Sequence, residues 1–265
     1  MTTRIAVSGA SGRMGRNVVK LTLADPELEL VAALEMPGHP DLGRDAGLVA
    51  GTGQPCGIEL SESCRGPVDC YVVYSTPEAT LEVLGQARAA SAALVAGTTG
   101  LDSEAIAEFE SAAAEIPLIL APNTGVGANL LFKLAADTAR ILGPGYDIEI
   151  VEAHHHHKVD APSGTALKLA EAAARARGID LGRNAVHGRS GRPGARSRDE
   201  IGIHAVRAGD IIGEHTVIFA TPGERIELTH RVTTREGFCL GALRAAKFLH
   251  GRKPGNYDMA QVLGL

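Results

Sequence analysis

Residues 4–15 read RIAVSGASGRMG, and this segment indicates how the first part of the chain folds. Residues 4–8 form a short, mainly apolar segment that contains β-branched side chains, as is typical of a strand buried on both faces. A helix is predicted over 13–24, because Asp25-Pro26 disfavours its continuation. A second predicted strand over 28–34 completes a βαβ unit of the size that a right-handed parallel crossover needs.

The same alternation of short apolar segments and helical segments continues to residue 121. Further strands are predicted over 70–75, 92–96 and 118–121, and further helices over 77–90 and 103–115. Strands that alternate with helices form parallel sheets covered by helices on both faces. We therefore predict an α/β fold with a Rossmann-type, doubly wound parallel sheet.

After Pro122 the pattern changes to that of a second, α+β part with a mixed or antiparallel sheet. The predicted elements are a helix over 128–142, a strand over 148–153, a helix over 165–177 closed by Gly178, a mobile surface loop over 183–199, and three strand-like segments at 201–209, 210–220 and 224–234. Glycine-containing turns between the three segments predict an antiparallel meander. A final helix over 238–250 is expected to return to the first domain.

The composition excludes several classes of protein. The 265 residues include 26 Lys+Arg and 31 Asp+Glu, which gives a formal charge of −5. The chain therefore lacks the excess of basic residues that is typical of nucleic-acid-binding proteins. Four cysteines without a CxxC pair predict buried free thiols in a reducing cytoplasm, not a disulfide scaffold. The longest uncharged stretch, 116–132, contains prolines and glycines that argue against a membrane span, and the N-terminus does not resemble a signal peptide. We expect a soluble, cytoplasmic protein.

The glycine segment at 9–15 has the form GxxGxxG, a variant of the dinucleotide-binding fingerprint. Such glycines permit a tight turn and let the N–H groups at a helix start approach a pyrophosphate. Glu35 follows Gly15 by 20 residues, where a carboxylate can accept hydrogen bonds from the adenosine ribose. Its charge repels a 2′-phosphate, although Arg13 and Arg16 are near, so NADH is predicted to be preferred over NADPH. The alternatives are a tight turn without a ligand and an ordinary exposed acid.

Two further turns follow predicted strands. Gly97-Thr98-Thr99-Gly100 comes after the strand at 92–96, and Ala121-Pro122-Asn123-Thr124 follows the strand at 118–121. Ligands of open parallel sheets bind at the carboxyl ends of the strands, so both turns are candidates for contact with the nicotinamide end of a cofactor. The alternative for each is a plain turn between strand and helix.

The stretch EAHHHHKVDAPSGTA at 152–166 is the most informative part of the chain. Adjacent histidines alternate across a strand and do not converge on one ion, so no metal site is predicted. Imidazoles, the Lys158 ammonium and the free N–H groups of a helix start instead suit an anion. Gly164 lets a ligand approach the main chain, and the Thr165 hydroxyl and N–H can bind a carboxylate. We predict a small dicarboxylate substrate; the alternative is a capped helix preceded by surface histidines.

These segments, with VRAGDIIGEHTVIF and GERIELTHR further along, resemble in sequence order the 4-hydroxy-tetrahydrodipicolinate reductase (dihydrodipicolinate reductase) family of bacterial lysine and diaminopimelate synthesis. The resemblance extends over nearly the whole chain. The histidine-containing segment is highly specific, whereas the glycine loop is shared with many dehydrogenases.

The resemblance implies an NAD(P)H-dependent oxidoreductase in which His154 transfers a proton and Lys158 is the catalytic lysine. It implies substrate contacts by His155, Gly164 and Thr165. The cofactor contacts that it implies are Gly9, Ala10, Ser11, Gly12, Arg13, Met14, Glu35, Gly97, Thr98, Thr99, Ala121, Pro122, Asn123 and Thr124.

The family fold implies a dinucleotide-binding domain from residues 1–125 and 236–265. It also implies a substrate-binding and oligomerisation domain from 126–235, whose sheet usually builds a homotetramer. No membrane or nucleic-acid partner is expected.

Three departures from the family pattern bear on the cofactor. Thr124-Gly125 replaces a frequent Phe-Ser, Met36 replaces an arginine of some dual-cofactor members, and Val73 replaces a frequent aspartate. They leave the reaction intact but weaken the prediction of a cofactor preference. Two other functions remain open: a different two-domain dehydrogenase of an amino-acid-like carboxylate, and a non-catalytic nucleotide sensor.

Overall fold

Strand β1 (Thr3–Ser8) lies inside a seven-stranded sheet in which all paired strands run parallel. The structure is a computed structural model that describes residues 2–265. Numbered along the chain, the other strands of this sheet are β2 (Leu28–Leu34), β3 (Leu60–Ser61), β4 (Cys70–Val73), β5 (Ala93–Ala96), β6 (Pro117–Leu120) and β12 (Gly255–Tyr257). Their spatial order is β12-β6-β5-β4-β1-β2-β3, so the winding direction reverses beside β1.

Helices cover both faces of this sheet. They are α1 (Arg13–Ala24), α2 (Ala46–Ala50), α3 (Pro77–Ala89), α4 (Ser103–Ala112), α8 (Glu236–Leu249) and α9 (Met259–Leu263). Alternate residues of β1 point to opposite faces: Ile5 packs in the core with Val18 of α1, and Ala6 packs in the core with Phe109 of α4. The predicted doubly wound α/β fold is confirmed.

Local signals explain where the helices of this sheet begin. The Thr76 side chain accepts a hydrogen bond from the Ala79 N–H, with Pro77 as the first helical residue of α3. The Asp102 carboxylate likewise accepts from the Ala105 N–H at the start of α4.

The last part of the chain packs with the first part. One compact unit contains the chain up to Val126 together with Arg235–Leu265, and α8 packs against α1 within it. Lys247 of α8 lies 2.7 Å from Asp25 Oδ2 and 2.8 Å from Glu27 Oε2. The helix predicted over 238–250 is therefore observed in the first unit.

The second compact unit, Gly127–Thr234, is built on a mixed five-stranded sheet. Its elements are α5 (Val126–Leu142), a 3₁₀ turn (Gly143–Gly145), β7 (Asp147–His154), α6 (Gly164–Arg177), α7 (Leu181–Asn184), β8 (Ala185–Val186), β9 (Ile201–Arg207), β10 (Gly213–Thr221) and β11 (Glu224–Val232). The strand order is β11-β10-β7-β9-β8. As predicted, α6 ends before Gly178, which has φ of +66°.

The predicted antiparallel meander is wrong for β9. β10 and β11 form an antiparallel hairpin and β10 pairs antiparallel with β7, but β9 pairs with β7 in parallel. β9 and β10 therefore flank β7 on opposite sides, and residues 208–212 connect them past its end, where the Ala208 N–H donates to the His154 carbonyl at 2.9 Å. Alternation along a strand indicates which face is buried but does not identify the neighbouring strand.

Two smaller expectations need correction. Residues 183–186 of the predicted loop belong to α7 and β8; residues 187–199 form a surface loop, in which Arg189 pairs with Glu149 and Glu200. The four cysteines are free, but Cys56 and Cys64 are only half-buried. Within residues 2–265, we find no helix with the length and apolar character that crossing a membrane requires.

Candidate functional site

The glycine loop between β1 and α1 is too crowded for larger residues. Gly9 has φ of +72°, and a Cβ there would lie 2.3 Å from the Tyr74 carbonyl oxygen. A Cβ at Gly15 would lie 1.9 Å from the Gly9 carbonyl oxygen. Gly12 is the N-cap of α1 and provides no side-chain cap, so the helix start keeps N–H groups that can hold an anion. These residues fit a dinucleotide.

Glu35 lies directly against the glycine loop. β2 ends at Leu34, and the Glu35 Oε1 atom accepts hydrogen bonds from the Ser11 N–H at 2.7 Å and from the Ser11 hydroxyl at 2.8 Å. The Ser11 hydroxyl is also 3.3 Å from His39 Nε2. The structure thus brings two predicted cofactor residues, Ser11 and Glu35, into one hydrogen-bonded group.

Of the two threonines predicted in the turn after β5, one faces the interior. Thr98 is 3% exposed, and its hydroxyl bonds the Thr80 hydroxyl at 2.7 Å, whereas Thr99 is exposed. Gly97 is required by packing, because a Cβ there would lie 2.1 Å from Tyr74 Cε1. The turn holds its backbone in place with buried contacts and presents Thr99 outward.

Tyr74, which sequence reasoning did not select, joins three of the predicted cofactor segments. Its backbone contacts Gly9, its ring contacts Gly97, and its hydroxyl lies 2.7 Å from Thr124 Oγ1. The Thr124 hydroxyl donates to the Phe238 carbonyl at 2.7 Å. Burial raises the pKa of the Tyr74 phenol, so it remains a neutral donor. Tyr74 follows β4 at the same carboxyl edge of the sheet, and this position in the sequence could have identified it as a candidate.

Four of the predicted cofactor residues follow β6 at that edge. The Ala121 N–H donates to the Ala96 carbonyl at 2.9 Å, and the Asn123 side chain accepts from the Gly125 N–H at 2.9 Å. Pro122 is exposed. Because β1, β5 and β6 run parallel, the turns that follow them meet at one edge of the sheet.

In the second unit, the Glu152 carboxylate is the centre of a buried polar cluster. Glu152 is 0% exposed and stands two residues before His154 on β7. Its Oε2 is 2.6 Å from His154 Nδ1 and accepts from Arg207 Nη1 at 2.8 Å. Its Oε1 accepts from Arg207 Nη2 at 2.8 Å and from the Ser163 N–H at 3.0 Å. One carboxylate therefore connects the ends of β7 and β9 to the start of α6.

The hydrogen bond to Glu152 determines the protonation of His154. Because a carboxylate can only accept, Nδ1 carries the proton and Nε2 is left to interact with a ligand. Burial lowers the pKa of His154 below the usual histidine value, against the opposing effect of Glu152. His154 is therefore neutral at neutral pH in the protein without a substrate.

His215 on β10 is a second buried histidine beside His154, with the two ring centroids 5.2 Å apart. Burial lowers its pKa to about 3, so it is a neutral acceptor. Its Nε2 is 3.1 Å from the Ser163 hydroxyl, and Ser163 Oγ in turn caps α6 by accepting from the Ala166 N–H at 3.2 Å. Sequence reasoning missed the roles of Arg207 and His215, although both lie in the quoted segment VRAGDIIGEHTVIF.

The four consecutive histidines do not act as one group. His154 points inward, whereas His156 and His157 are exposed, and His156 Nδ1 is 2.9 Å from the Gly209 carbonyl. Over residues 2–265 no group of three or more His, Cys, Asp or Glu side chains is placed to hold a metal ion. His155 is half-buried, and Lys158 Nζ lies 2.8 Å from Asp160 Oδ1.

The start of α6 offers space for an anion. Gly164 is its first residue, and a Cβ there would meet no atom within 4 Å. Thr165 follows, half-exposed, on the first turn. The N–H groups of this helix start and the Lys158 ammonium are donors of the kind that binds a carboxylate by charge-assisted hydrogen bonds.

Both parts of the chain match models of one protein family. A family model described as "Dihydrodipicolinate reductase, N-terminus" matches residues 3–124, and one described as "Dihydrodipicolinate reductase, C-terminus" matches residues 127–263. The 4-hydroxy-tetrahydrodipicolinate reductase of Alkalilimnicola ehrlichii is 52% identical and covers 100% of both chains. That of Dechloromonas aromatica is 48% identical and covers 99% of this chain and 98% of its own.

Solved structures show the same architecture. A structure described as dipicolinate-bound dihydrodipicolinate reductase from Paenisporosarcina sp. TG-14 has a TM-score of 0.76 at 26% identity and covers 98% of this chain and 99% of that chain. Aspartate semialdehyde dehydrogenase II from Vibrio cholerae has a TM-score of 0.56 at 12% identity, covering 94% of this chain and 98% of its own. The second comparison indicates a shared fold alone.

Proposed function

Because the chain belongs to the dihydrodipicolinate reductase family, we propose that it catalyses the NAD(P)H-dependent reduction of 4-hydroxy-tetrahydrodipicolinate to tetrahydrodipicolinate, with loss of the 4-hydroxyl group as water, in diaminopimelate and lysine biosynthesis. The observation that carries this proposal is the buried cluster of Glu152, His154 and Ser163 next to the open start of α6. It supports a role for His154 as a proton carrier in the same unit as the proposed carboxylate donors. We assign the cofactor to the first unit and the substrate to the second.

The first unit supplies the cofactor contacts in this proposal. The nicotinamide group supplies a hydride when the cofactor is bound. The N–H groups of the first turn of α1 bind the pyrophosphate, and the turns after β5 and β6 bind the nicotinamide end. Ser11 holds one oxygen of Glu35, and we assign the other oxygen to the ribose hydroxyls. The charge of Glu35 repels a 2′-phosphate, so NADH is preferred over NADPH.

The second unit supplies the dicarboxylate contacts. We assign the substrate carboxylates to Lys158, His155, the N–H groups at Gly164 and Thr165, and the Thr165 hydroxyl. The related structure from Paenisporosarcina, which is described as dipicolinate-bound, supports a pyridine or reduced-pyridine dicarboxylate as the ligand class. Lys158 also stabilises negative charge that develops on the ring during reduction.

His154 is assigned as the proton donor to the ring carbon next to the reduced position. A donor needs the imidazolium form, whereas burial favours the neutral ring in the unliganded protein. A bound dianion raises the histidine pKa, because opposite charges within about 4–6 Å favour the charged form. His154 therefore takes up its proton when the substrate binds, and Glu152 holds the ring in place for the transfer.

We further propose that the protein is a homotetramer assembled through the sheet of the second unit and works in the cytoplasm. β11 (Glu224–Val232) forms the edge of that sheet and is exposed along most of its length, including the apolar side chain of Ile226. Long exposed edge strands are normally covered in the functional state. Analytical ultracentrifugation of the full chain tests the assembly; a monomer at micromolar concentration would contradict it.

A coupled assay tests the function. Aspartate semialdehyde and pyruvate are incubated with the upstream synthase, and NADH oxidation is followed after this protein is added. Oxidation that requires the synthase supports the proposal. Oxidation with aspartate semialdehyde alone would indicate a different amino-acid-type dehydrogenase, and NADH binding without oxidation would indicate a nucleotide sensor.

A further inference from the structure

Glu152 has its hydrogen-bonding capacity filled by three partners. Each of its oxygens accepts one Arg207 N–H at 2.8 Å; Oε2 also accepts from His154 Nδ1, and Oε1 from the Ser163 N–H. Burial raises the pKa of Glu152, but the hydrogen bonds from Arg207 and His154 outweigh that effect and keep it below its usual value. The carboxylate is therefore ionised while fully buried, which requires paired charge and complete hydrogen bonding.

Arg207 is held through both terminal nitrogens of its guanidinium, whereas its buried Nε has no hydrogen-bond partner among residues 2–265. It is the last residue of β9, its guanidinium donates to the Asp160 carbonyl at 2.6 Å, and its contact with Glu152 is bidentate. Arg207 and Glu152 are 55 residues apart in sequence and lie on adjacent parallel strands. Planar bidentate pairs of this kind restrict orientation as well as providing charge.

Charged and titratable groups face His154 from several neighbouring elements. β7 contributes Glu152, the following segment contributes Lys158 and Asp160, β9 contributes Arg207, and β10 contributes His215, which neighbours His230 of β11. The start of α6 contributes an uncharged serine. Among residues 2–265, Glu152 is the one anion in direct contact with the ring, and Arg207 neutralises it.

We propose that Glu152 and Arg207 are positioning residues for His154: the carboxylate holds the ring in the Nδ1–H tautomer, and the guanidinium limits how strongly that carboxylate favours the imidazolium. This inference deepens the proposed function and rests on it for the role of His154. Without Arg207, the unneutralised carboxylate would hold the proton on the imidazolium too tightly for donation. Without Glu152, the ring would lose both its orientation and its stabilised charged form.

The test uses two substitutions with opposite expected effects. In Glu152→Gln the negative charge is lost, so the alkaline limb of the kcat–pH profile moves to lower pH by about one unit. In Arg207→Met the charge of Glu152 is no longer neutralised, so the same limb moves to higher pH by about one unit. Arg207→Lys keeps the charge without the bidentate geometry, and we expect a lower kcat with the limb unmoved. A purely structural role would lower kcat in all three variants without moving the limb in opposite directions.

A second readout does not depend on turnover. ¹⁵N-histidine NMR of the full unliganded chain, with His154 identified by its loss in His154→Gln, reports the tautomer and the titration directly. We expect the proton on Nδ1 in the unsubstituted protein and opposite shifts of the titration in Glu152→Gln and Arg207→Met. If the chain lacks reductase activity the proposed function fails, yet this titration still decides the present inference.

The matched control is Arg4→Met, which removes another bidentate arginine, bound to Asp69 at 3.0 and 2.6 Å in the first unit. It removes the same type of contact away from His154, so the pH profile and the His154 titration should not change. Shifts of the same sign in Glu152→Gln and Arg207→Met, or an unshifted His154 titration in both, would overturn the inference.

Discussion

The Oε2 atom of Glu152 lies 2.6 Å from Nδ1 of His154, and both side chains point into the same buried cluster from alternate positions of β7. The period of a strand places residues i and i+2 on one face, so this contact is built into the sequence Glu-Ala-His. The contact leaves Nε2 as the ring nitrogen that can meet a substrate. Three of the following predictions concern this cluster and its neighbours, and two concern the glycine loop and Glu35.

Replacing His154 with Gln should lower kcat by roughly two to four decades with a modest change in KM, because general acid catalysis is lost while substrate binding remains. The measurement is a steady-state assay with NADH and the synthase-generated substrate. His157→Gln is the matched control from the same histidine run, since His157 is exposed. An unchanged kcat in His154→Gln would remove this side chain from the chemistry.

Lys158→Ala should weaken binding of pyridine-2,6-dicarboxylate by about ten- to a hundredfold, because a hydrogen bond to a charged group contributes about 1.5–3 kcal/mol. Isothermal titration calorimetry in the presence of NADH measures this affinity. Lys133→Ala, which removes a surface ion pair with Asp137, is the control and should bind normally. Equal affinity of both variants would exclude Lys158 from the carboxylate site.

Glu35→Gln should reduce the preference for NADH over NADPH by about fivefold or more, since it removes at least ~1 kcal/mol of repulsion toward a 2′-phosphate. The uncharged amide can still accept from Ser11, so the glycine loop should keep its conformation. Calorimetric titrations with each cofactor separately give the ratio. If the ratio of NADH to NADPH affinity is the same in Glu35→Gln as in the wild type, Glu35 does not face the ribose.

Gly15→Ala should abolish tight cofactor binding and destabilise the protein by about 1–3 kcal/mol, because the new Cβ would collide with the Gly9 carbonyl. Gly85→Ala in α3 is the matched control: a Cβ there meets nothing within 4 Å, and alanine favours a helix by about 0.5–1 kcal/mol. Thermal unfolding with and without NADH measures both effects. Similar behaviour of the two variants would contradict the crowding of the glycine loop.

His215 should make stability depend on pH in the acid range. The pKa of His215 is about 3 in the folded protein and 6.5 in the unfolded chain. Between pH 3 and pH 6.5, His215 therefore binds a proton only when the chain is unfolded. Protonation of the unfolded chain lowers the free energy of unfolding. We expect no loss above pH 6.5 and a decrease of about 1.4 kcal/mol per pH unit as the pH falls from 6.5 toward 3. Denaturant unfolding of the wild type and of His215→Gln at pH 4 to 7 checks this. A variant that retains the full slope would contradict the assignment to His215.

Local sequence patterns predicted the first unit well. α1 and β2 begin and end at the predicted residues, because the glycine loop and Asp25-Pro26 are strong boundary signals. The shorter elements α2, β3, α9 and β12 were not predicted, since segments of two to five residues carry too little periodicity. The candidate site shows the same division: the segment from Glu152 to Ala166 was selected for His154 and Lys158, but the contacts of Glu152 with His154 and Arg207 were not predicted.

Neighbouring residues alone specify the alternation of strands and helices, the glycine loop and the start of the helix capped by Ser163, because each is a local feature. Tertiary structure alone decided that β9 pairs with β7, that Arg207 neutralises Glu152, and that Tyr74 meets Thr124 and Phe238. These contacts join residues 50 to 164 positions apart. Hydrophobic periodicity reports which face of an element is buried, but the free energy that selects its partner comes from packing and charge pairing across the folded chain.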